Sequence, residues 1–433
     1  MSTAGLAPDL DALGVEIHEL MAELYPISRS ITGDGVRDTL SRIGKRIPIE
    51  VREVPSGTPV LDWTVPPEWN LRDAYIVDPA GDRVVDAGDC NLHVVGYSVP
   101  VHERLSLSEL RDHIFTLPEH PDWIPYRTSY YDRSWGFCLS QRQLEGLAEG
   151  DYEVRVDASL EDGSLTFGEY YLEGESDEEI LLSAHACHPS LANDNLSGVA
   201  VATLLARHLG DVPRRYSYRF LFIPGTIGSI TWLALNEEAT RRIRGGLVLA
   251  GLGDPGRSTY KRSRHGATEI DRAAAHVLHH SGDHALEAFE PYGYDERQYC
   301  SPGFDLPIGC LMRTPHGRYP EYHSSADDMS FVKPPFLADS FAKCLAILNV
   351  MEGNRTYRNL SPRGEPQLGR RGLYGAIGGS GDGDSTRMAM LWVLNLSDGD
   401  HSLLDIAERA SLPFDLVREA ADALEAGGLL AER

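Results

Sequence analysis

Apolar positions along residues 151–353 form two kinds of pattern that alternate along the chain. Short continuous apolar runs predict buried strands, and apolar residues three or four positions apart predict amphipathic helices. Strands that alternate with helices favour an α/β fold, in which helices flank a mainly parallel, mixed sheet. The predicted strands are Ile180–Ala184, Tyr218–Ile223, Gly246–Ala250 and Ile308–Arg313, and the predicted helices are Gly198–Leu209, Ser229–Asn236, Ala267–His280 and Phe336–Met351.

The segments before this alternation have other patterns. Residues 9–24 and Val36–Lys45 have helical spacing, so we assign residues 1–48 together with 151–353 to the α/β domain. Residues 49–150 are rich in tryptophan, tyrosine and proline and contain short alternating runs broken by turns, which predicts a β-rich inserted domain. Four aromatic residues of the insert could either pack in its core or wall a cleft: Trp123, Tyr126, Tyr130 and Tyr131.

Three short helical patterns follow a segment rich in glycine, arginine and serine. We assign that segment, residues 354–387, to a linker, and residues 388–433 to a final domain. Ser402 and Asp405 predict a capping box at the start of the second helix. Three short helices in this order predict a winged helix. The three patterns are Met388–Leu394, Ser402–Ala410 and Pro413–Ala426.

Charge narrows the choice of partners. The chain has 40 lysines and arginines against 65 aspartates and glutamates, a formal net charge of −25. Such a surface repels nucleic acids and anionic membranes. Residues 388–433 alone contain three arginines, no lysine and nine acids, so we expect a packing or dimerisation module. A dimerisation module would make the protein a homo-oligomer. A DNA-binding regulator is the alternative that a winged helix raises.

Cysteine usage and the apolar runs suggest a compartment. The six cysteines are scattered and contain no CxxC pair, which favours reduced thiols. Residues 1–11 lack a basic segment followed by an apolar one, so we expect no secretory signal. No apolar run approaches the roughly 20 residues that span a membrane. We therefore expect a cytoplasmic protein with no membrane partner.

Side chains that bind metals are concentrated directly after the first predicted strand. His185, Cys187, His188 and Asp194 fall within ten residues, and Gly198 then begins a helical pattern. A strand that ends in ligands and leads into a helix presents a metal at the carboxyl edge of an α/β sheet. Cys187 could instead be a small buried residue, and the histidines could be ordinary loop residues held by backbone hydrogen bonds.

Three later segments contain further candidates. Asp254 follows another buried strand, and Glu321 would share a face with His323 if residues 320–324 are extended. A carboxylate beside a histidine ligand suits a general base or a bridging ligand. A third segment contains candidate substrate contacts, which could equally form a surface ion-pair cluster; in it, an arginine could pair with a substrate carboxylate. These candidates are Asp295, Glu296, Arg297 and Tyr299.

In this order the motifs resemble the co-catalytic zinc aminopeptidases of the bacterial leucine aminopeptidase type. The matching segments are His185, Asn193-Asp194-Asn195-Leu-Ser197-Gly198, Asp254 and Tyr322-His323-Ser-Ser-Ala-Asp327. The resemblance implies that two Zn²⁺ ions, or three, bind here and that Asp194 bridges them. The implied ligands are His185, His188, Asp194, Asp254 and His323.

The chain is also similar, over nearly its whole length, to an aminopeptidase-like bacterial family with a β insert and a C-terminal winged helix. That resemblance implies a place in natural-product or polysaccharide biosynthesis. The matching segments are Pro55-Ser-Gly-Thr, Asp62-Trp63-Thr-Val-Pro66, Cys187-His188-Pro189-Ser190-Leu191-Ala-Asn193-Asp194 and Tyr319-Pro320-Glu321-Tyr322-His323.

The chain departs from the zinc aminopeptidases at two places. Those enzymes have a His-x-Asp sequence whose aspartate orients the histidine, and Cys187 stands at that position here. They also have a Glu-Glu pair after the next strand, where this chain has residues 224–229 without a carboxylate. His188 could substitute as a ligand. Asp295, Glu296 or Glu321 could supply the base, and we favour Glu321 for its spacing to His323.

These observations predict a zinc-dependent amide or peptide hydrolase. It would remove an aminoacyl or peptidyl group from a peptide or a small-molecule amide. Glu321 would accept the proton of the attacking water and pass it to the leaving amine. The alternative, suggested by the missing Glu-Glu pair, is a non-catalytic descendant that binds a sugar or peptide in the same cleft.

Overall fold

A computed structural model describes residues 9–373 and 382–433. They divide into two compact units, the first formed by Met1–Gly266 with Ala285–Ala342 and the second by Ala267–His284 with Lys343–Arg433. The expectation of no secretory leader falls mostly on residues 1–8, and part of the predicted linker falls on residues 374–381; both lie outside the described residues.

The strands of the described residues are numbered in chain order. Their bounds are β1 Glu50–Pro55, β2 Pro59–Val60, β3 Trp63–Thr64, β4 Glu68–Val77, β5 Arg83–Asp86, β6 Val101–Ser106, β7 Ile114–Phe115, β8 Phe137–Cys138, β9 Asp151–Glu161, β10 Ser164–Leu172, β11 Glu179–His185, β12 Ser217–Ile223, β13 Ile243–Leu249, β14 Ser258–Lys261, β15 His284–Glu287, β16 Ile308–Met312, β17 Thr356–Asn359, β18 Asp398–Ser402 and β19 Leu430–Glu432.

The helices are numbered in the same way. Their bounds are α1 Leu10–Leu24, α2 Asp34–Ile43, α3 Leu107–Leu110, α4 Gln141–Glu145, α5 Gly198–Gly210, α6 Ile227–Leu235, α7 Glu237–Thr240, α8 Glu269–His280, α9 Glu296–Tyr299, α10 Pro334–Gly353, α11 Asp382–Leu396, α12 Leu403–Ala410 and α13 Phe414–Ala426. None of the helices that the structure describes is both long and apolar enough to cross a membrane.

The first unit is built on an eight-stranded sheet with the order β1-β10-β12-β11-β13-β16-β14-β15. Its four central strands, β12, β11, β13 and β16, run parallel. Strands β10 and β1 add antiparallel on one side, and β14 pairs antiparallel with β16 on the other. The predicted α/β fold, with a mainly parallel, mixed sheet flanked by helices, is confirmed.

Two neighbouring parallel strands, β11 and β12, explain why the apolar runs were continuous. Every residue of β11 and β12 is buried, because both faces of the sheet are covered. Parallel strands end at the same edge of a sheet, so His185, Ile223 and Leu249 mark one edge. The ligand-type side chains that follow β11 therefore lie at the carboxyl edge, as expected.

The inserted domain contains a four-stranded antiparallel sheet with the order β5-β4-β9-β6. Its bounds differ from the predicted residues 49–150. Strand β1 pairs with β10 of the main sheet, and β9 pairs with β4 and β6 of the insert. An alternating pattern identifies a strand but not the sheet that the strand joins, so the sequence placed both strands on the wrong side of the boundary.

The second unit contains the predicted winged helix, which is confirmed. Strand β17 lies between β18 and β19 in its small sheet, and helices α11, α12 and α13 complete the domain. The predicted capping box of Ser402 and Asp405 is present at the start of α12. Strand β17 falls inside the predicted linker, because the sequence Thr-Tyr-Arg-Asn has too few apolar residues to mark a strand.

Candidate metal centre

The turn between β11 and α5 brings the ligand-type residues together. Residues 192–197 form an irregular helical turn, in which Asp194 and Asn195 have non-helical backbone angles. A side chain at Gly198 would collide with the carbonyl oxygen of Leu249, so glycine lets α5 begin against the end of β13. The turn is held by Asp327, whose two carboxylate oxygens accept hydrogen bonds from the backbone N–H groups of residues 193 and 194 at 2.6 and 3.0 Å.

Three histidines surround the carboxylate of Asp194. His185 Nε2 lies 2.9 Å from Asp194 Oδ1, and His323 Nε2 lies 2.9 Å from Asp194 Oδ2. His188 Nδ1 lies 3.6 Å from the same Oδ2. One ligand atom from each of His185, His188 and Asp194 lies within 4.8 Å of the other two, which is close enough for the three to hold one metal ion.

The charge states of this group suit a cation. Burial alone would raise the pKa of Asp194, but His188, His185 and His323 together lower it well below its ordinary value. Burial, together with the neighbouring His185 and His323, lowers the pKa of His188 to about 3 although Asp194 acts to raise it. An ionised carboxylate and a neutral imidazole are the forms that bind Zn²⁺. His188 Nδ1 is also buried without a hydrogen-bond partner, so the residues fit the ion.

Aromatic rings wall the group on several sides. The ring of Tyr126, from the insert, meets the rings of His188 and His323 edge-on at centroid distances of 5.0 and 5.1 Å. Tyr294 stacks on His185 at 4.9 Å, and Tyr322 stacks on His323 at 3.9 Å. Of the four insert aromatics that could wall a cleft, Tyr126 does so directly.

The insert also supports the loop that contains His323 through backbone hydrogen bonds. Tyr126 N donates to the carbonyl oxygen of His323 at 2.8 Å, and Ser325 N donates to the carbonyl oxygen of Ile124 at 2.8 Å. Pro125 and Ser324 form the β-bridge between these two contacts. We call this pairing the insert ladder. It ties a segment of the insert to the segment of the α/β domain that presents a candidate ligand.

The structure contradicts the reason for choosing Glu321 as the base. Residues 321–323 form a turn, Ser324 N donates to the carbonyl oxygen of Glu321 at 3.1 Å, and His323 has a left-handed φ of 56°. In a turn, alternate residues do not share a face as they do in a strand. The prediction that Glu321 shares a face with His323 is therefore wrong. The side chain of Glu321 is half-buried.

Asp254 is buried but lies outside the group of ligand atoms. Its Oδ1 accepts hydrogen bonds from Thr314 Oγ1 at 2.5 Å and Gly256 N at 2.8 Å. Its Oδ2 accepts from Asn193 Nδ2 at 3.1 Å and Thr314 N at 3.2 Å. Four donors thus occupy the carboxylate. Asp254 therefore connects the loops after β13 and β16 to the turn of residues 192–197.

Cys187 packs beneath the site as a thiol. It is fully buried, and burial raises its pKa to about 12. Its Sγ lies 3.9 Å from the carbonyl oxygen of Gly225, and it is not part of the group of ligand atoms. Its burial and its place outside that group favour the packing interpretation.

The candidates around α9 have different environments. Tyr299 is buried with its hydroxyl 2.9 Å from Ser183 Oγ. Glu296 is buried and accepts a hydrogen bond from Lys261 Nζ at 2.6 Å. These two residues support the interior and do not form a surface cluster. Arg297 is half-buried, with its guanidinium 5.6 Å from the centroid of the Tyr292 ring, so it is the member nearest to solvent.

Asp295 is the most unusual of these candidates. It is fully buried, and burial raises its pKa to about 6. Ser229 Oγ donates to its Oδ1 at 2.7 Å, whereas its Oδ2 has no hydrogen-bond partner. A methyl group at Gly225 would lie 3.1 Å from His185 Cβ and 3.5 Å from Asp295 Oδ2. Asp295 therefore borders the same space as His185, a candidate ligand, near the end of β12.

Three residues that support the site were not assigned from the sequence. Asp327 ends the motif Tyr322-His323-Ser-Ser-Ala-Asp327, four positions after His323. Its place in that motif could have identified it as a residue of the site. Arg29 is buried, and its Nε donates to the carbonyl oxygen of His188 at 3.0 Å. Asn195 Nδ2 donates to the carbonyl oxygen of Leu249 at 2.9 Å. Asn195 also lies in one of the matching motifs, whereas the sequence around Arg29 gives no such signal because its contact joins distant segments.

Comparisons with known proteins agree with this architecture. Residues 18–354 match the family model described as domain of unknown function DUF4910, and residues 355–432 match a winged helix-turn-helix model. A Clostridium acetobutylicum protein, named for polysaccharide biosynthesis and an aminopeptidase-like domain, is 52% identical over 412 residues, which are 95% of each chain.

Solved structures show the same fold. A crystal structure of a protein provisionally named as a peptidase, also from Clostridium acetobutylicum, covers 98% of both chains with 49% identity and a TM-score of 0.94. BSAP, a zinc aminopeptidase from Bacillus subtilis, has a TM-score of 0.58 and 13% identity over 80% of this chain and 95% of its own. The chain therefore belongs to the DUF4910 family, and in it a winged helix-turn-helix domain follows the aminopeptidase-like fold.

Proposed function

We propose that this protein is a zinc-dependent amide hydrolase that removes an aminoacyl or peptidyl group from a peptide or a small-molecule amide. The observation that carries the proposal is the group formed by His185, His188 and Asp194. Their ligand atoms lie within 4.8 Å of one another at the carboxyl edge of the sheet. Three protein ligands that leave a coordination position open are typical of catalytic zinc sites.

His185, His188 and Asp194 would hold the ion, with His323 beside them on the second oxygen of Asp194. A zinc ion there would supply a Lewis acid for the scissile carbonyl and for the attacking water. The rings of Tyr126 and Tyr294 cover the histidines and exclude bulk water from the group. Exclusion of water strengthens electrostatic interactions at the reacting atoms.

A single ion fits these residues better than the two or three that the resemblance implies. A second ion would need carboxylates beyond Asp194. Asp254 accepts hydrogen bonds from four donors, and residues 224–229 after β12 contain no acid. We therefore expect one Zn²⁺ per chain.

The substrate class follows from the surroundings of the group. Arg297 is half-buried, and its guanidinium lies 5.6 Å from the centroid of the exposed Tyr292 ring, which supports a role for Arg297 in contacting a substrate. Arg297 could bind a substrate carboxylate through two hydrogen bonds. The name of the Clostridium acetobutylicum relative supports a small-molecule amide of polysaccharide biosynthesis over a peptide.

Metal analysis and a hydrolysis screen test the proposal. Full-length protein purified without chelators should hold one equivalent of zinc by elemental analysis. It should also cleave members of a panel of aminoacyl-p-nitroanilides, N-acyl amino sugars and dipeptides followed by mass spectrometry. The Asp194→Asn variant should lose both zinc and cleavage. Folded wild-type protein that holds no zinc after supplementation would contradict the proposal.

A non-catalytic binding protein is the second candidate, and one observation favours it. Neither the end of β12 nor Asp254 offers the acids that zinc aminopeptidases use. This candidate predicts that wild-type protein binds zinc and a sugar or peptide from the panel but cleaves none of them. Cleavage of any member that is lost in the Asp194→Asn variant would exclude it.

A further inference from the structure

The residues that follow β12 contain no acid, but the side chain of a distant aspartate, Asp295, lies near the end of this strand. Residues 224–229, which follow β12, contain no carboxylate. Asp194 is therefore the single acid in the group of ligand atoms. Asp295 reaches the same place from a segment about seventy residues later. It is fully buried, and it lies where a side chain on Gly225 would otherwise point.

Two contacts define how Asp295 is held. Ser229, in the helix that follows β12, donates to Oδ1 at 2.7 Å and fixes the carboxylate. Its other oxygen, Oδ2, is buried without a partner. His185 Cβ and Asp295 Oδ2 both lie within van der Waals reach of one point, the position of a methyl group on Gly225. The unpartnered oxygen and His185 therefore both border the space in front of Gly225.

A buried, unpartnered carboxylate is costly for folding unless it has a compensating charge. The described structure offers Asp295 no lysine or arginine contact, and its partner is a neutral hydroxyl. A cation bound by His185 would supply an opposite charge beside this carboxylate. In a buried site, screening by water is weak, so such a pair interacts strongly.

We propose that Asp295 is a positioning residue beside the metal centre, which acts on His185 and strengthens binding of the cation without being a ligand itself. It supplies, from a different segment of the chain, a carboxylate at an edge where residues 224–229 contain none. This inference rests on the proposed function, since it assumes that the group binds zinc.

The test compares zinc affinity with stability in full-length protein. Apo-protein is prepared by dialysis against a chelator, and Zn²⁺ is titrated against a competing chelator dye at neutral pH. Asp295→Asn keeps the shape of the side chain and an acceptor for Ser229 but removes the charge. We expect the dissociation constant for zinc to rise by roughly 10- to 100-fold, the usual effect of losing a residue that supports a metal ligand.

The thermal midpoint of the apo-protein separates this role from a structural one. Removing a buried, uncompensated charge should leave the midpoint of Asp295→Asn equal to or above that of wild type, although zinc binding is weaker. A purely structural role predicts that the thermal midpoint of the apo-protein and the affinity for zinc both decrease. Cys187→Ala is the matched control, because it changes a buried side chain at the same Gly225 contact without changing charge.

Each outcome decides one point. Weaker zinc binding by Asp295→Asn with an undiminished apo midpoint, and wild-type affinity in Cys187→Ala, would support the inference. Zinc affinity of Asp295→Asn within about threefold of wild type, or a lowered apo midpoint, would overturn it while leaving the proposed function intact. If wild-type protein does not bind zinc, the proposed function fails first and the inference fails with it.

Discussion

Two buried aspartates at the carboxyl edge show how much the immediate contacts of a residue decide its role. Asp194 is met by histidines, whereas Asp254 accepts hydrogen bonds from two backbone N–H groups, a hydroxyl and an amide. The family resemblance treats both as ligands. The structure separates them, because a carboxylate whose lone pairs are already occupied has little capacity left for a metal.

This difference predicts opposite outcomes for two matched variants. Asp194→Asn should lose zinc, because the single acid of the ligand group becomes neutral. Asp254→Asn should keep zinc but lower the free energy of unfolding by about 2 kcal/mol, since its amide can no longer accept from every donor. Elemental analysis and urea unfolding of both proteins measure the two effects. Loss of zinc from Asp254→Asn would show that Asp254 is a ligand after all.

The ligand cluster after β11 could be predicted from the sequence because its residues are close in the chain. Glu321 could not be judged in the same way, since its orientation depends on whether residues 320–324 form a strand or a turn. The surroundings of Asp295 depend on where α9 meets the end of β12, and that contact joins segments about seventy residues apart. Sequence spacing gives no information on such a meeting.

At the level of elements, the start of β11 is joined to its neighbours by an ion-pair network. Glu179 is fully buried and accepts hydrogen bonds from Arg219 Nε and Arg242 Nε, each at 2.7 Å. Arg219 also pairs with Glu169 of β10. The network joins three adjacent strands, β10, β12 and β11, to Arg242, the residue before β13, so it helps to fix the register in which the carboxyl ends of the parallel strands present the site.

Neighbouring glutamates allow a controlled test of this network. Glu179→Gln should lower the free energy of unfolding by about 3 kcal/mol, because Arg219 is left buried with an incomplete set of partners. Glu178→Gln, which removes a more exposed pair with Arg244 at 2.7 Å, should cost less than about 1 kcal/mol. Urea unfolding followed by tryptophan fluorescence gives both values. Equal losses would mean that burial adds nothing to the pair.

Helix α8, in the second unit, should make stability depend on pH. Burial lowers the pKa of His276 to about 4, and its Nε2 is buried without a partner. The folded state therefore favours the neutral ring. Its contribution to stability is complete above about pH 6.5 and is lost as the pH falls towards about 4.

The variant His276→Leu removes this titration and keeps an apolar side chain in the same space. Between pH 7 and about pH 4.5, the thermal midpoint of wild type should fall further than that of the variant. Differential scanning calorimetry at several pH values measures the difference. Parallel curves for the two proteins would show that His276 is not titrated on unfolding.

An element could be predicted from the sequence where its apolar residues keep one regular spacing and its surroundings are the same along its length. The central parallel strands are covered on both faces, so their apolar runs are continuous and their positions follow from the sequence. Strands β1 and β9 were assigned to the wrong sheet, since an alternating strand looks the same in either one. Strand β17 has too few apolar residues to be recognised by its pattern.

Charge is the property of the whole molecule that bears on its winged helix. The net charge is −25, and residues 388–433 contain nine acids against three arginines. Affinity for DNA depends on cations that replace the counterions of the phosphates. We therefore expect no change in the fluorescence anisotropy of a labelled random duplex when the full-length protein is added at low salt. Binding that weakens as salt is added would indicate a DNA-binding role.

The insert ladder has a consequence for how this architecture can change over time. The segment of the insert around residues 124–126 forms backbone bonds with the loop that contains His323, so replacing one without the other breaks a shared set of hydrogen bonds. Chimeras that exchange the insert between family members should therefore work only when the loop is exchanged with it. Lineages are expected to keep or lose the two segments together, as one heritable module.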